Sequence, residues 1–324
     1  MGVHERTLTT FPLMGTSATL CTLGEGDTDI APAVVRRLRD LEARLTVNGP
    51  VEARSRSQVE AVNLAAGVSA VAVDAEVYSL LRTSVRASRE HRGSFNALIG
   101  PVVKAWGIGF ADARVPSAAE IEGLLALTDP DEVELEDESR TVALRRVGMR
   151  LDLGAIAKGY AADVAAAMLR QAGLPGGLID LGGNVVAVGT AEGGRPWRVG
   201  IQSPFAGRGA IIGHLSVQDT SVVTSGIYER VLEAGGRRFH HMIDPLTGYP
   251  FETDLASVTV VAASSLDADL WATVAQRGGL AGGFAAVSAE PGIEAVFVTL
   301  DRRVVATAGC RGQLTLTDRA FSLG

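Results

Sequence analysis

The sequence predicts an α+β fold, mixed sheets with helices packed on them, on three grounds. Strand-like and helix-like stretches follow one another without the strict alternation of a doubly wound sheet. Hydrophobic residues fill 47% of the 324 positions, ample for a sizeable core. No period of repeat length recurs, which excludes solenoids and propellers.

Taken in order, Thr7 to Leu23 alternates as a strand pair broken at Met14-Gly15-Thr16. Val34 to Leu45 carries apolar residues three and four apart, an amphipathic helix. Thr46 to Ser57, with Asn48-Gly49-Pro50, reads as a polar loop. Val77 to Glu90 is a second amphipathic helix, ended by His91-Arg92-Gly93. Pro101 after Gly100 is placed to begin a helical turn, and Trp106 to anchor a loop on the core. Ser117 followed by Glu120 forms a capping box for a helix to Leu127. Val133 to Arg146 reads as a hairpin.

Leu151 to Gly183 reads as a strand end, one helix from Ala155 to Arg170, a stop at Gly173 and a buried strand. That last strand is the apolar run Leu178 to Val188, interrupted by Gly182-Gly183. Trp197 to Gln202 and Ser257 to Ala262 are further strands. Asp244-Pro245 starts a turn. Ser265 to Arg277 is a helix capped by Ser264 or Ser265, and Val296 to Leu316 holds the closing strands.

Composition narrows the function classes. The net charge of −7 and the lack of a Lys/Arg run argue against nucleic acid and anionic membrane as partners. Cys21 and Cys310 have no metal-type spacing and, at most, leave one disulfide open. No bilayer-length apolar segment, signal core or lipid-accepting cysteine occurs, so a cytoplasmic protein without a membrane anchor is expected. The Gly182-Gly183 pair lacks dinucleotide or P-loop spacing, and Gly-x-Ser-x-Gly is absent.

Three features can carry chemistry. Asp152 and Lys158 flank a helix start whose exposed N–H groups attract anionic oxygens, so a phosphate-plus-metal site competes with a plain cap and a solvated lysine. Asp269 and Thr273 are four apart on one helical face, either oxygen ligands for Mg²⁺ or a surface acid beside a back-bonding threonine. His240 and His241 precede a tight turn, and only one can face a given pocket. Met14, beside a glycine, suits either a flat ligand or the core.

Several segments then resemble one family, the FAD:protein FMN transferases (ApbE-like). They are Phe11-Pro-Leu-Met-Gly-Thr, Phe95-Asn-Ala-Leu-Ile-Gly-Pro-Val-Val-Lys-Ala-Trp-Gly and Asp152-Leu-Gly-Ala-Ile-Ala-Lys-Gly-Tyr-Ala-Ala-Asp. Ile179-Asp-Leu-Gly-Gly-Asn, Thr224-Ser-Gly, His241-Met-Ile-Asp-Pro-Leu-Thr-Gly-Tyr-Pro and Ala268-Asp-Leu-Trp-Ala-Thr complete the series in family order. The resemblance implies an ApbE-like, T-fold-related architecture in a single domain over residues 1–324, one that could divide into two lobes with the active site between them.

It also implies a reaction: Mg²⁺-dependent cleavage of FAD, transfer of FMN to a Ser or Thr of an acceptor flavoprotein, and release of AMP. FAD would lie against Met14, Asn48, Phe95, Asn96, Ala97, Asp152 and Lys158. The metal would take the Ala155 carbonyl and the side chains of Asp269 and Thr273. Lys158 would add a second cation, and His241 would orient or deprotonate the acceptor hydroxyl. Two departures stand out. Asn48 replaces the family's common Tyr, with extra residues in Gly49 to Arg56, a pattern resembling members that also hydrolyse FAD. Phe95-Asn96 replaces the commoner Phe-Asp. The rival readings are an FAD pyrophosphatase without an acceptor and a non-catalytic flavin-binding protein.

Overall fold

The first two strands, Arg6–Leu13 and Thr16–Leu23, pair antiparallel from Arg6 opposite Leu23 to Leu13 opposite Thr16. Only Met14 and Gly15 are left for the turn, and both adopt positive φ (47° and 72°), as a two-residue hairpin turn demands. The computed structural model describes residues 6–24, 30–49 and 51–324. The leader-free reading of the N-terminus rests on residues 1–5, which, like Pro50 of the expected loop, lie outside the described residues. The chain groups into two compact units, one of residues 1–41, 156–226 and 253–324, the other of 42–155 and 227–252.

The first unit is built on a nine-stranded sheet. Its order is Arg6–Leu13, Thr16–Leu23, Gly176–Asp180, Asn184–Gly189, Ser221–Gly226, Leu255–Ala262, Glu294–Thr299, Arg303–Ala306 and Ser322–Leu323. All pairings are antiparallel except the last. One face carries the helices Ala157–Gln171 and Ser265–Ala289, whose Ala268, Ala272 and Ala275 pack on Val258, Val260 and Phe297. Across the other face lies a small sheet of Trp197–Gln202, Ile211–Val217 and Leu314–Leu316, with Ile201, Ile212 and Leu215 clustered on Val185, Val222 and Val296. A strand covered on both faces gains from apolar residues at every position. Leu255–Ala262 accordingly has all eight residues buried.

The second unit holds the helices Gln58–Leu64, Ala75–Glu90, Gly100–Trp106 and Ala118–Leu125, a small sheet and the hairpin Val231–Ala234/Arg237–His240. Its aromatic centre is Trp106, fully buried, with ring centroids 5.2 Å from Phe239 and 5.8 Å from Tyr249. The predicted helix from Val77 starts at Ala75, capped by Asp74, and Ser117 accepts from the Glu120 N–H as expected. Among the described residues no helix is long and apolar enough to cross a membrane.

Three expectations need correction, and one open question is answered. The run Leu178 to Val188 is a hairpin rather than one strand: Gly182 and Gly183 take positive φ (69° and 97°) and Asp180 Oδ1 accepts from the Gly183 N–H. The loop from Thr46 to Ser57 contains a short helix, Val51–Arg54, and ends on Ser57, the cap of a helix the periodicity had not marked. The helix begun at Ser265 continues to Ala289 through a break at Gly279 (φ 64°, ψ −176°). Cys21 and Cys310 are both free and buried, so the open disulfide does not form.

Candidate active site

In the first unit, the helix Ala157–Gln171 has no side-chain cap; Ile156 holds the cap position. Its first turn is instead tied to a carboxylate: the Gly159 N–H donates to Asp269 Oδ2 at 3.0 Å. Lys158 Nζ lies 4.0 Å from the same oxygen. One N–H of the helix's first turn is therefore already bonded to protein.

Asp269 also departs from the surface acid the spacing allowed, being only 3% exposed. Burial, the largest influence, pushes its carboxyl above the usual carboxylate range. Lys158, the Gly159 N–H and the Asn184 amide pull it down without cancelling that push, and Asp163 adds to it. Asn184 is itself buried, and its Nδ2 closes no ordinary hydrogen bond. Thr273, one turn on, donates its hydroxyl to the Asp269 carbonyl at 3.3 Å. The back-bond leaves the Thr273 oxygen's lone pairs to act as an acceptor or ligand.

Asp163, the last residue of the motif begun at Asp152, receives three bonds from the start of the second helix. They come from Ser264 Oγ (3.0 Å), the Ser265 N–H (2.7 Å) and the Leu266 N–H (2.9 Å). The Asp163 carboxylate thus satisfies orphan donors at a helix N-terminus. In doing so it locks the helix of Asp269 and Thr273 onto the helix of Lys158.

Among the described residues no three His, Cys, Asp or Glu side chains converge as a metal cluster. The oxygen set of Asp269 and Thr273 nonetheless fits Mg²⁺, which is commonly held by one or two carboxylates with water and substrate phosphates. A buried carboxylate whose ionised form burial opposes gains from a nearby cation, as it does from Lys158. Met14 sits in its turn with φ 47°, a conformation costly for a non-glycine side chain.

In the second unit, Asp152 was expected at a strand end. Leu151–Leu153 belongs to no strand, because its polar groups find other partners. Asn63 brackets Leu151, accepting from its N–H at 2.7 Å and donating to its carbonyl at 3.0 Å. The Asp152 N–H donates to the Ala97 carbonyl at 2.8 Å. Asp152 Oδ1 accepts from the Gly154 N–H at 2.8 Å, so it closes its own turn rather than capping the following helix. Burial raises the Asp152 carboxyl, against the Gly154 N–H, the Asn48 side chain, Arg150 and Arg230, in that order. Asn48 and Asp152 are therefore neighbours.

Phe95 and Ala97 are buried, and the Asn96 amide donates to the Thr128 carbonyl at 2.7 Å while accepting from the Leu98 N–H at 2.8 Å. Ala155 lies in the turn that precedes Ile156. His240 and His241 divide their work. His240 Nε2 bonds the Phe251 carbonyl at 2.8 Å and its Nδ1 accepts from the Met242 N–H at 3.3 Å, a structural pair of contacts. His241 lies just past the strand Arg237–His240, half-buried, with its N–H donated to the Arg230 carbonyl at 3.2 Å. A surface pocket lined by Gln218, Asp219, Thr220 and Glu294 contains none of these residues.

Sequence reasoning gave no role to Asp163, Asn184, Glu60 or Asn63. The first two stood inside quoted motifs, which was the available signal; the last two sit on the unmarked helix Gln58–Leu64.

The model of the ApbE family matches residues 14–297. A FAD:protein FMN transferase of Klebsiella pneumoniae (strain 342) is 42% identical over 311 residues, covering 96% of this chain and 95% of its own. One of Treponema pallidum (strain Nichols) is 40% identical over 286 residues, covering 83% of this chain and 78% of its own. Among solved structures, an ApbE protein from Thermotoga maritima superposes with a TM-score of 0.86 at 27% identity, over 95% of this chain and 99% of that one. The apo form of the Pseudomonas stutzeri flavinyl transferase ApbE gives 0.81 at 29% identity, over 97% and 98%.

Proposed function

The chain belongs to the ApbE family, and from that premise we propose that it moves FMN from FAD to a Ser or Thr hydroxyl of a target flavoprotein and releases AMP. The observation that carries this reading is the pair of a half-buried Lys158 and a buried Asp269 at a helix start, with Thr273 one turn further on. Asp269, Thr273 and the Ala155 carbonyl would hold Mg²⁺, which when bound neutralises charge on the two phosphates. Lys158 brings a second positive charge to the same bridge. Met14, Asn48, Phe95, Asn96, Ala97 and Asp152 make up the remaining flavin contacts.

Transfer forms one bond from the acceptor oxygen to the FMN phosphorus and breaks the bond from that phosphorus to the AMP oxygen. The acceptor proton passes to the His241 imidazole. Holding the hydroxyl in line replaces a bimolecular encounter, and positioning with electrostatics then supplies the catalysis.

The test uses FAD and Mg²⁺, with and without an acceptor bearing an Asp-Gly-x-x-[Ser/Thr]-Gly-Ala-Thr motif. A mass gain of one FMN on the acceptor is expected. Equal FMN release in both tubes would assign a pyrophosphatase, and FAD left intact a flavin-binding protein.

A further inference from the structure

We infer that Glu60 is a positioning residue for the flavin site, a buried carboxylate that ties two separate stretches, Asn48–Gly49 and Arg150–Asp152, to one helix. This rests on the reading of Asn48 and Asp152 as flavin contacts. The Glu60 side chain is only 3% exposed, yet each of its oxygens receives a different guanidinium. Arg54 Nη1 donates to Oε1, and Arg150 Nη2 donates to Oε2 at 2.6 Å. Arg54 reaches onward, its Nε donating to the Gly49 carbonyl at 3.2 Å, directly after Asn48. Arg150 stands two residues before Asp152. Asn63, one turn along from Glu60 on the same helical face, holds both polar groups of Leu151.

Neither the Asn48 turn nor Leu151–Leu153 has regular structure of its own. Beyond the backbone bond from Asp152 to Ala97, side chains carry their relative placement. Charge-assisted bonds from two arginines to one buried carboxylate are strong and directional. Removing the carboxylate leaves two part-buried cations facing each other, and both stretches lose their common anchor.

The experiment is a flavin-fluorescence titration of the full chain with FAD, run beside thermal melts. It compares wild type with Glu60→Gln, Glu60→Asp and Val59→Ala. Val59 is fully buried on the same helix and carries no charge, so its truncation reports plain loss of stability. The FAD dissociation constant is expected to rise about tenfold or more in Glu60→Gln, to recover partly in Glu60→Asp, and to stay within about twofold in Val59→Ala. In turnover, KM for FAD should rise while kcat holds. Unchanged affinity in Glu60→Gln, or equal loss in Val59→Ala at a matched drop in melting temperature, overturns the inference and leaves the proposed activity standing. A wild-type chain that binds no FAD overturns both.

Discussion

Gly159 and Asp269 meet through one hydrogen bond, 3.0 Å from N–H to Oδ2, where two helix backbones touch. A Cβ built on Gly159 would stand 2.3 Å from the Ser265 carbonyl oxygen and 2.8 Å from the Leu266 Cα. The same missing side chain therefore permits the helix crossing and brings the donor to the carboxylate.

Gly159→Ala pits two effects against each other. Helix propensity favours alanine by about 1 kcal/mol, while overpacking against backbone costs roughly 1–3 kcal/mol or more because the opposing atoms cannot rotate away. The clash should win, lowering the melting temperature and removing the proposed transfer activity. Gly123→Ala is the control: it lies within the helix Ala118–Leu125 with nothing within 4 Å of a built Cβ. It should stabilise by about 0.5–1 kcal/mol. Paired thermal melts read both.

Asp269→Asn keeps shape and removes charge. A carboxylate whose ionisation burial already opposes should be replaced at little cost in stability, while turnover falls on the order of a hundredfold, the scale of losing one preorganised electrostatic contact. Asp269→Ala differs. It leaves the buried Gly159 N–H without an acceptor, at about 1–3 kcal/mol. Urea midpoints and steady-state rates on the two variants separate the proposed ligand role from the packing role.

Acid should weaken the fold through His240. Desolvation, the largest influence, lowers its pKa below the ordinary 6.5, and Nδ1 already accepts from the Met242 N–H. The unfolded chain therefore binds the proton more readily than the folded one. Stability is complete above the unfolded pKa and declines as pH falls through it. Urea midpoints at acid and neutral pH should differ less in His240→Gln than in wild type.

Local chemistry was the part the sequence made readable. Ser117 and Ser264 cap the helices their spacing announced, and Gly173 (φ 71°) follows its helix as expected. Coverage by distant chain was not readable. The four-residue spacing put Asp269 and Thr273 on one face, but the burial of Asp269 depends on packing that includes the helix of residues 157–171, about a hundred positions earlier. The hairpin at Gly182-Gly183 hid inside an apolar run because its strands lie within the large sheet, where polar residues do not mark the alternation. Asp163 reaches Ser264 across 101 residues, and Asn63 reaches Leu151 across 88. No local pattern encodes either meeting.

Trp106 offers the remaining test, on the histidine side. Its Nε1–H donates to the Gly248 carbonyl at 2.8 Å, and its ring packs on Phe239 and Tyr249. Phe239 precedes His241 by two residues. Gly248 closes the turn after it, with its N–H on the Asp244 carbonyl at 2.8 Å. One buried indole thus grips the chain on both sides of the proposed base. Trp106→Phe keeps an aromatic ring but strips the donor from a buried carbonyl, a loss of about 1–3 kcal/mol. The melting temperature should fall by a few degrees, about 1.5 °C per kcal/mol at the usual unfolding entropy per residue for a chain of this size. If the indole fixes His241, kcat for transfer drops while the FAD dissociation constant stays near wild type. A parallel rise in that constant would instead mean that the whole unit has loosened, and Trp106 would be a core residue with no particular hold on the histidine.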